Sequence, residues 1–293
     1  LELNNKVYDR VKGKYPDLLI GTPGFEYMLD TPSSEKEIQQ IEYFMDARNG
    51  ARFDFWAFHG YPLTGRNMTG IYPPTKSGIN NRFGGIPGIL EIRKKLDANG
   101  WHDREIIDTE HTGMIGPKQP VISDELDRLD AAYTTQNLLL KRTLKNGGKF
   151  VLSGIFPLKI SPKGNRGEFA WGSLKPDASV TRTVKAVSLL RSKFSEYKYS
   201  SHISGEFDNE DQVWVEKFQS GKKELYIYFK PFKYQIGRSI MIDNEISNYS
   251  LVLSRTPASI ILTDINGDSV NLIPSQSILL KAANSLSYLE VYY

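Results

Sequence analysis

"EIIDTEHTG", residues 105–113, decides the fold. Two isoleucines run directly into Asp108, Thr109, Glu110 and His111, and a glycine closes the run. Such a stretch is either a core strand leaving for a solvated loop or an apolar strand that delivers a carboxylate to the open end of a barrel. The sequence on either side separates the two.

Working outward, "FDFWAFHGYP" (53–62) is a second apolar strand that ends on His59, Gly60 and Tyr61, and "DLLIGTPG" (17–24) reads as a buried strand closed by Gly and Pro. "KFVLSGIFPL" (149–158) supplies a fourth. Helical patterns alternate with them. Val7, Tyr8 and Val11 set a short helix over 6–14 that Tyr15-Pro16 stops. Ile38, Ile41, Phe44 and Met45 form one face of a helix over 34–49. "GILEIRKKLDANG" (88–100) ends at Asn-Gly, residues 123–148 begin on a Ser cap and end at Gly-Gly, and 179–196 follows the fourth strand. Strands apolar on both faces, alternating with helices, belong to a parallel sheet covered by helices. Short helix-to-strand connections and long loops after the strands are typical of a (β/α)₈ barrel, with its active site at the strand C-termini. A complete barrel needs about 250 residues, and four strand–helix units make half of one.

Beyond residue 197 the pattern changes. "VWVEKF", "ELYIYFK", "SLVLS", "SIILTD", "SVNLI", "SILLK" and "YLEVYY" are short strands separated by turns such as "QSGKK" and "INGD". They predict an antiparallel β-sandwich. The expected fold class is therefore α/β plus all-β, with the second half of a TIM-type barrel over 1–196 and a β-sandwich over 197–293.

Composition narrows the function classes. Of 293 residues, 40% are hydrophobic and 24% charged, the usual balance of a globular protein. The formal net charge of +3 is spread without a basic stripe, so no nucleic-acid partner is expected. No apolar run approaches the ~20 residues of a membrane span. The absence of cysteine excludes disulfides and thiolate metal sites. The four histidines, at 59, 102, 111 and 202, lack metal-ligand spacing, and no Gly-rich phosphate loop is present, so neither a metal nor a cofactor is expected. Asn67-Met68-Thr69 and Asn248-Tyr249-Ser250 fit the N-glycosylation pattern. The opening "LELNNKVYDRVKGKYPD" has no signal-peptide character and reads as the interior of a longer precursor.

The order of parts resembles the second half of a clan A glycoside hydrolase followed by its β-sandwich, nearest to family 39, the β-xylosidase and α-iduronidase group. Families 5, 30 and 79 share the layout. "YPDLLIGTPGF" is similar to the fifth barrel strand and "FDFWAFHGYP" to the sixth, with its Asp-Phe opening and His-x-Tyr-Pro-like end. "EIIDTEHTG" is similar to the seventh strand, whose Thr-Glu pair bears the nucleophile. "FAWGSLKPDASVTRTVKAVSLLRSKF" resembles the passage into the last barrel helix, and "SIILTDINGDSVNLIPSQSILLKAANSLSYLEVYY" the closing strands. The resemblance implies a retaining hydrolase of an extracellular or lysosomal glycan, with Glu110 as nucleophile. His59, Tyr61 and His111 would bind substrate beside it, with Asp108 in the same network, and Trp171 would stack on a sugar face. Trp56 is read as core. The sequence departs from the clan at one point. The acid/base glutamate belongs to an Asn-Glu-Pro at the end of the fourth strand, and no such tripeptide occurs here; "LELNNK" has Lys6 near that place. The simplest account puts the acid/base on an N-terminal fragment of the same precursor, which would also complete the barrel by pairing with the first strand. The alternative is a catalytically inactive relative that binds carbohydrate or serves a structural or assembly role.

Overall fold

The computed structural model describes residues 1–26, 32–59, 63–64, 70–71, 74–76, 85–110, 124–144, 150–152, 180–233 and 245–293. In chain order it contains α1 (Glu2–Lys14), β1 (Phe25–Glu26), α2 (Pro32–Met45), β2 (Phe55–His59), the hairpin β3 (Leu63–Thr64) and β4 (Gly70–Ile71), α3 (Gly85–Ala98), β5 (Glu105–Glu110), α4 (Asp124–Thr143), β6 (Phe150–Leu152) and α5 (Arg182–Glu196). Eight strands follow: β7 (Lys198–Ser204), β8 (Trp214–Ser220), β9 (Lys223–Phe229), β10 (Ser247–Val252), β11 (Ser259–Thr263), β12 (Ser269–Leu272), β13 (Ser277–Ala282) and β14 (Ser287–Tyr292).

The first sheet has the order β1-β2-β5-β6, and all its pairs are parallel. Strands successive along the helix-connected chain lie side by side, without the reversal of a doubly wound sheet. Strand alternation sends Trp56, Phe58 and Ile106 to one face. There they share a core with Ile41, Phe44 and Met45 of α2, Ile86, Ile89, Ile92 and Leu96 of α3, and Leu138–Leu140 of α4. On the opposite face Phe55 and Ile107 are only half-buried and Thr109 is exposed. Trp56 is fully buried, stacked on Phe25 with ring centroids 5.0 Å apart, as its reading as core requires.

The expected buried strand over 17–24 is not formed as such. Leu18 and Leu19 are 54% and 62% exposed. The backbone of Ile20–Thr22 runs beside Asp54–Phe55, bridging at Gly21, and the ladder resumes only at Phe25. The cause is local. The Phe55 ring lies over Gly21, where an added Cβ would come within 2.4 Å of it, and Pro23 has no N–H to give to the ladder. The first helix also differs: α1 begins at Glu2 and buries none of its residues. It is held by polar contacts instead. Asn4 and Asn5 donate to the carbonyls of Arg52 and Gly50, and Tyr8 and Lys12 reach the Asp54 carboxylate at 3.1 and 2.9 Å. Burial works to raise Asp54, but Lys12, the Ile20 amide and Tyr8 outweigh it and hold the carboxyl below its usual 3.8.

The second sheet is antiparallel, in the order β12-β11-β14-β9-β8-β7, and β10 pairs with β13 as a separate ribbon. Its central strand β9 is buried along nearly its whole length. Leu225, Ile227 and Phe229 join the core that contains Leu190 of α5, while Tyr226 and Tyr228 pack with Leu251, Ile278 and Leu280 of the ribbon. Both faces of this sheet are thus covered, by helix on one side and ribbon on the other. Tyr197 alone separates α5 from β7. Its hydroxyl donates to Glu290 of β14 at 2.7 Å, and Lys193 of α5 holds the other Glu290 oxygen at 2.6 Å. Deeper in the same junction, Gln136 of α4 donates to the Asn284 carbonyl at 2.6 Å. Asn248 is exposed on β10; Asn67 lies outside the described residues.

Candidate functional site

The parallel strands all end toward the same side of the sheet, and ionisable residues collect there. Glu26 of β1 is in register with His59 of β2, and His59 is in register with Glu110 of β5. Three adjacent strands therefore carry a row of Glu, His and Glu across their C-terminal ends. Neighbouring strands lie about 4.8 Å apart, so the outer two backbone positions are about 10 Å apart.

A bulge makes the row possible. Phe58 pairs with Asp108, but the next residue, His59, pairs with Glu110, and Thr109 is the extra residue between them. The Thr109 hydroxyl donates to the Phe58 carbonyl at 3.1 Å and fixes the irregularity. In an unbroken strand Glu110 would share the face of Ile106 and Asp108, because alternate residues share a face. A bulge resets that alternation and is a common device beside active sites. Here it puts Glu110 across from His59 in place of Thr109. Phe25 and Phe58 lie on the helix face, so the positions that follow them, Glu26 and His59, belong to the opposite and more open face. The side chains of Glu26, His59 and Glu110 lie outside the described atoms.

Asp108 does not belong with this group. It is 2% exposed, on the helix face, where its carboxylate pairs with the ammonium of Lys141 on α4. Its expected place in the network beside Glu110 is therefore corrected. The bulge at Thr109 takes Glu110 out of the alternation that Asp108 follows, and a buried carboxylate needs the charge partner that α4 supplies. Tyr133 of α4 is fully buried, and burial pushes its phenol far above the usual range.

Tyr61, His111 and Trp171 lie outside the described residues. Of the other histidines, His102 stands beside Asp97 with its ring exposed, and His202 contacts Glu216 at 3.0 Å and the Gly205 carbonyl at 2.8 Å in the antiparallel sheet. Among the described residues no group of three or more His, Asp or Glu could hold a metal ion, and no helix is long and apolar enough to cross a membrane. Sequence reasoning did not single out Glu26. The signal it carried was the pair Phe25-Glu26, which repeats the Phe58-His59 pattern of an apolar residue followed by an ionisable one at a strand end.

The whole chain superposes on a family 39 glycoside hydrolase from the gut symbiont Bacteroides cellulosilyticus WH2. The TM-score is 0.69 at 17% identity, and the match covers 100% of this chain and 54% of that one. A glucosidase from Croceicoccus marinus matches with a TM-score of 0.61 at 14% identity, covering 100% of this chain and 64% of that one. A conserved exported protein from Bacteroides fragilis matches with a TM-score of 0.55 at 14% identity, covering 99% of this chain and 58% of that one. No family model and no curated protein matches the sequence. At such identities the likeness is one of fold, and the fold is glycosidase-like. The chain spans between half and two thirds of the length of these structures.

Proposed function

We propose that this chain is the C-terminal part of a retaining glycoside hydrolase, resembling family 39, and that Glu110 is its nucleophile. In this reading residues 1–196 are the second half of a (β/α)₈ barrel and 197–293 its β-sandwich domain. The supporting observation is the bulge at Thr109, which brings Glu110 into register with His59 at the C-terminal ends of a parallel sheet, inside a glycosidase-like fold. Strand C-termini are where barrel enzymes carry their chemistry.

The ionised Glu110 carboxylate attacks the anomeric carbon and forms a glycosyl ester, while a carboxylic acid roughly 5–5.5 Å away protonates the departing oxygen. Water then attacks the ester, and the second residue, now a base, takes its proton. That acid/base residue belongs to an N-terminal fragment of the same precursor, whose strand pairs with the outer edge of β1 and completes the barrel. Tyr61, His111 and His59 bind sugar hydroxyls, and Trp171 stacks on the C–H face of the ring. The setting that goes with such a substrate is extracellular or lysosomal.

The test is hydrolysis of aryl glycosides by the completed barrel. Glu110→Gln should lower kcat by several orders of magnitude with the fold intact, since an amide cannot form the glycosyl ester. Near-normal turnover in that variant removes Glu110 from the mechanism. Carbohydrate binding without turnover in the unaltered protein moves the chain to the reading of an inactive, glycan-binding relative.

A further inference from the structure

The corner that joins β7 to β8 holds an imidazole whose two ring nitrogens both face acceptors. His202 Nδ1 lies 3.0 Å from a carboxylate oxygen of Glu216, and Nε2 lies 2.8 Å from the Gly205 carbonyl oxygen. A carboxylate and a carbonyl only accept, so both contacts are hydrogen bonds when both nitrogens carry protons. That species is the imidazolium. Glu216 calls for it independently. Its carboxylate is buried on the face of β8 that carries Trp214 and Phe218, and it accepts from the Trp214 indole at 2.6 Å and the Tyr199 phenol at 3.2 Å. Among the described residues no lysine or arginine pairs with it, and a buried carboxylate needs a charge partner.

The other ionisable groups of the neighbourhood leave that role to His202. Tyr199 of β7 stays a donor, because burial and then the Glu216 charge raise its phenol. Lys217 of β8 pairs with Glu224 of β9, and β9 places Ile227 opposite Glu216. In the corner, Glu206 and Asp211 are exposed, and the carboxylates of Asp208 and Glu210 lie 3.6 and 3.7 Å from the ammonium of Lys76.

The corner is also a clasp. Gly205 has φ +105 and sits against Trp214, and Asp208 has φ 64. The Asp208 amide donates to the Thr75 carbonyl at 3.0 Å. Thr75 and Lys76 lie between β4 and α3, on the chain that leads from the C-terminal end of β2, and the Pro74 carbonyl beside them accepts from the Ile86 amide of α3.

We propose that His202 is a proton-operated latch between the antiparallel sheet and the connection from β2 to α3. As an imidazolium it ties the Gly205 carbonyl to Glu216 and keeps the corner closed on Thr75 and Lys76. Once the proton leaves, one ring nitrogen presents a lone pair to an oxygen that also only accepts. One of the two contacts then opens, and the grip on the β2-to-α3 connection slackens. An imidazole that gains a carboxylate on folding titrates above its ordinary value of about 6.5. The contribution of the latch is therefore full below that pH and is lost as the pH rises through the folded midpoint. The latch stands whether or not Glu110 is catalytic.

The experiment is a pH titration of the full chain by NMR with two readouts. The His202 ring resonance, one of four and identified by its absence in His202→Gln, should titrate roughly half a pH unit or more above the ordinary 6.5, and Glu216→Gln should lower that midpoint. The protection of the Asp208 amide against hydrogen exchange, corrected for the intrinsic rate, should fall several-fold as the pH rises through the same midpoint, while that of Ile227 in β9 stays level. In His202→Gln the pH dependence of the Asp208 amide should be gone. A midpoint at or below about 6.5 overturns the charged imidazole. An Asp208 protection that does not change across the midpoint overturns the latch. Should either variant fail to fold, both readouts remain in the unaltered protein, where sequential assignment picks out His202.

Discussion

The two sheets of this molecule solve the same problem to different extents. The antiparallel sheet is covered on both faces by residues of its own chain: α5 and its neighbours on one side and the β10–β13 ribbon on the other. Its outer strands are a four-residue β12 and a twice-bulged β7, both poor templates for further pairing. Among the described residues the parallel sheet is covered by helices on one face, and on the other Phe55 and Ile107 are half-buried. Among the described residues β1 pairs with β2 alone, and α1 lies alongside through asparagine, tyrosine and lysine contacts with its Leu3 and Val7 turned to solvent. A helix attached through polar contacts while its Leu3 and Val7 are exposed is the reverse of the usual arrangement. Among the described residues the antiparallel sheet is thus packed on both faces and the parallel sheet on one, and β1, with β2 as its described partner, carries Glu26 of the row with His59 and Glu110.

The contrast can be broken by substitution, and the largest effect belongs to the covered face of the parallel sheet. Lys141→Met takes the ammonium from a carboxylate that is 2% exposed. Urea unfolding should show a loss of about 3–5 kcal/mol, most of it recovered in the double variant with Asp108→Asn. A loss below about 1 kcal/mol would mean that this pair does not tie β5 to α4.

Next comes the corner between β7 and β8. Gly205 has φ +105, and a Cβ there would lie 2.9 Å from the Trp214 Cα. Gly205→Ala should cost roughly 1–3 kcal/mol in thermal unfolding, since neither the backbone angle nor the main-chain contact can relax cheaply. A neutral result would show that the corner tolerates another backbone conformation.

A smaller effect separates the sheets by pH. Burial works to raise Glu224, but hydrogen bonds from Lys217, Tyr226 and Tyr293 prevail and hold it below its usual 4.5. A depressed carboxyl contributes stability that is full above its unfolded pKa and is lost as the pH falls through the folded one. The antiparallel sheet should therefore weaken below pH 4.5, and Tyr226→Phe should cost about 1 kcal/mol at neutral pH and reduce that acid sensitivity. An unchanged acid profile in Tyr226→Phe would mean that the phenol does not support the carboxylate.

The smallest effect is at α1. Leu3→Ser with Val7→Ser should change the stability of this chain by less than about 0.5 kcal/mol, because both side chains are already in water. Under the proposed reading the same pair should also weaken association with the N-terminal fragment, as measured by co-purification. Stability lost in the chain alone would show that the stripe is already covered.

How much was legible follows from where the forces lie. The run Ile106-Ile107 into charged residues marked β5, and Trp56 and Phe58 marked β2, because apolar burial is written in residue type. The seven later strands were legible for the same reason. β7 was not, since "KYSSHIS" shows no apolar alternation and is held as an edge by its neighbour. The segment 17–24 misled because Leu18 and Leu19 look like core, while the Phe55 ring on Gly21 and the missing N–H of Pro23 decide its path. At the site, Glu110 and His59 stood out as ionisable ends of apolar runs. Asp108 was misplaced because its partner Lys141 is 33 residues further along the chain. Glu26 was hidden because "YML" follows it, so the strand end is not marked by a change to polar sequence.

The central claim is that Glu110 forms a covalent bond to the sugar, and trapping that bond tests it most directly. The protein is incubated with a panel of 2-deoxy-2-fluoroglycosyl fluorides and digested for peptide mapping by mass spectrometry. Fluoride departs without a general acid, so the nucleophile alone is sufficient, and the C2 fluorine slows hydrolysis of the ester more than its formation. The account predicts one fluoroglycosyl group on the peptide containing Glu110 and none in the Glu110→Gln variant. A label on a different carboxylate, or hydrolysis of aryl glycosides with no label on Glu110, would contradict it.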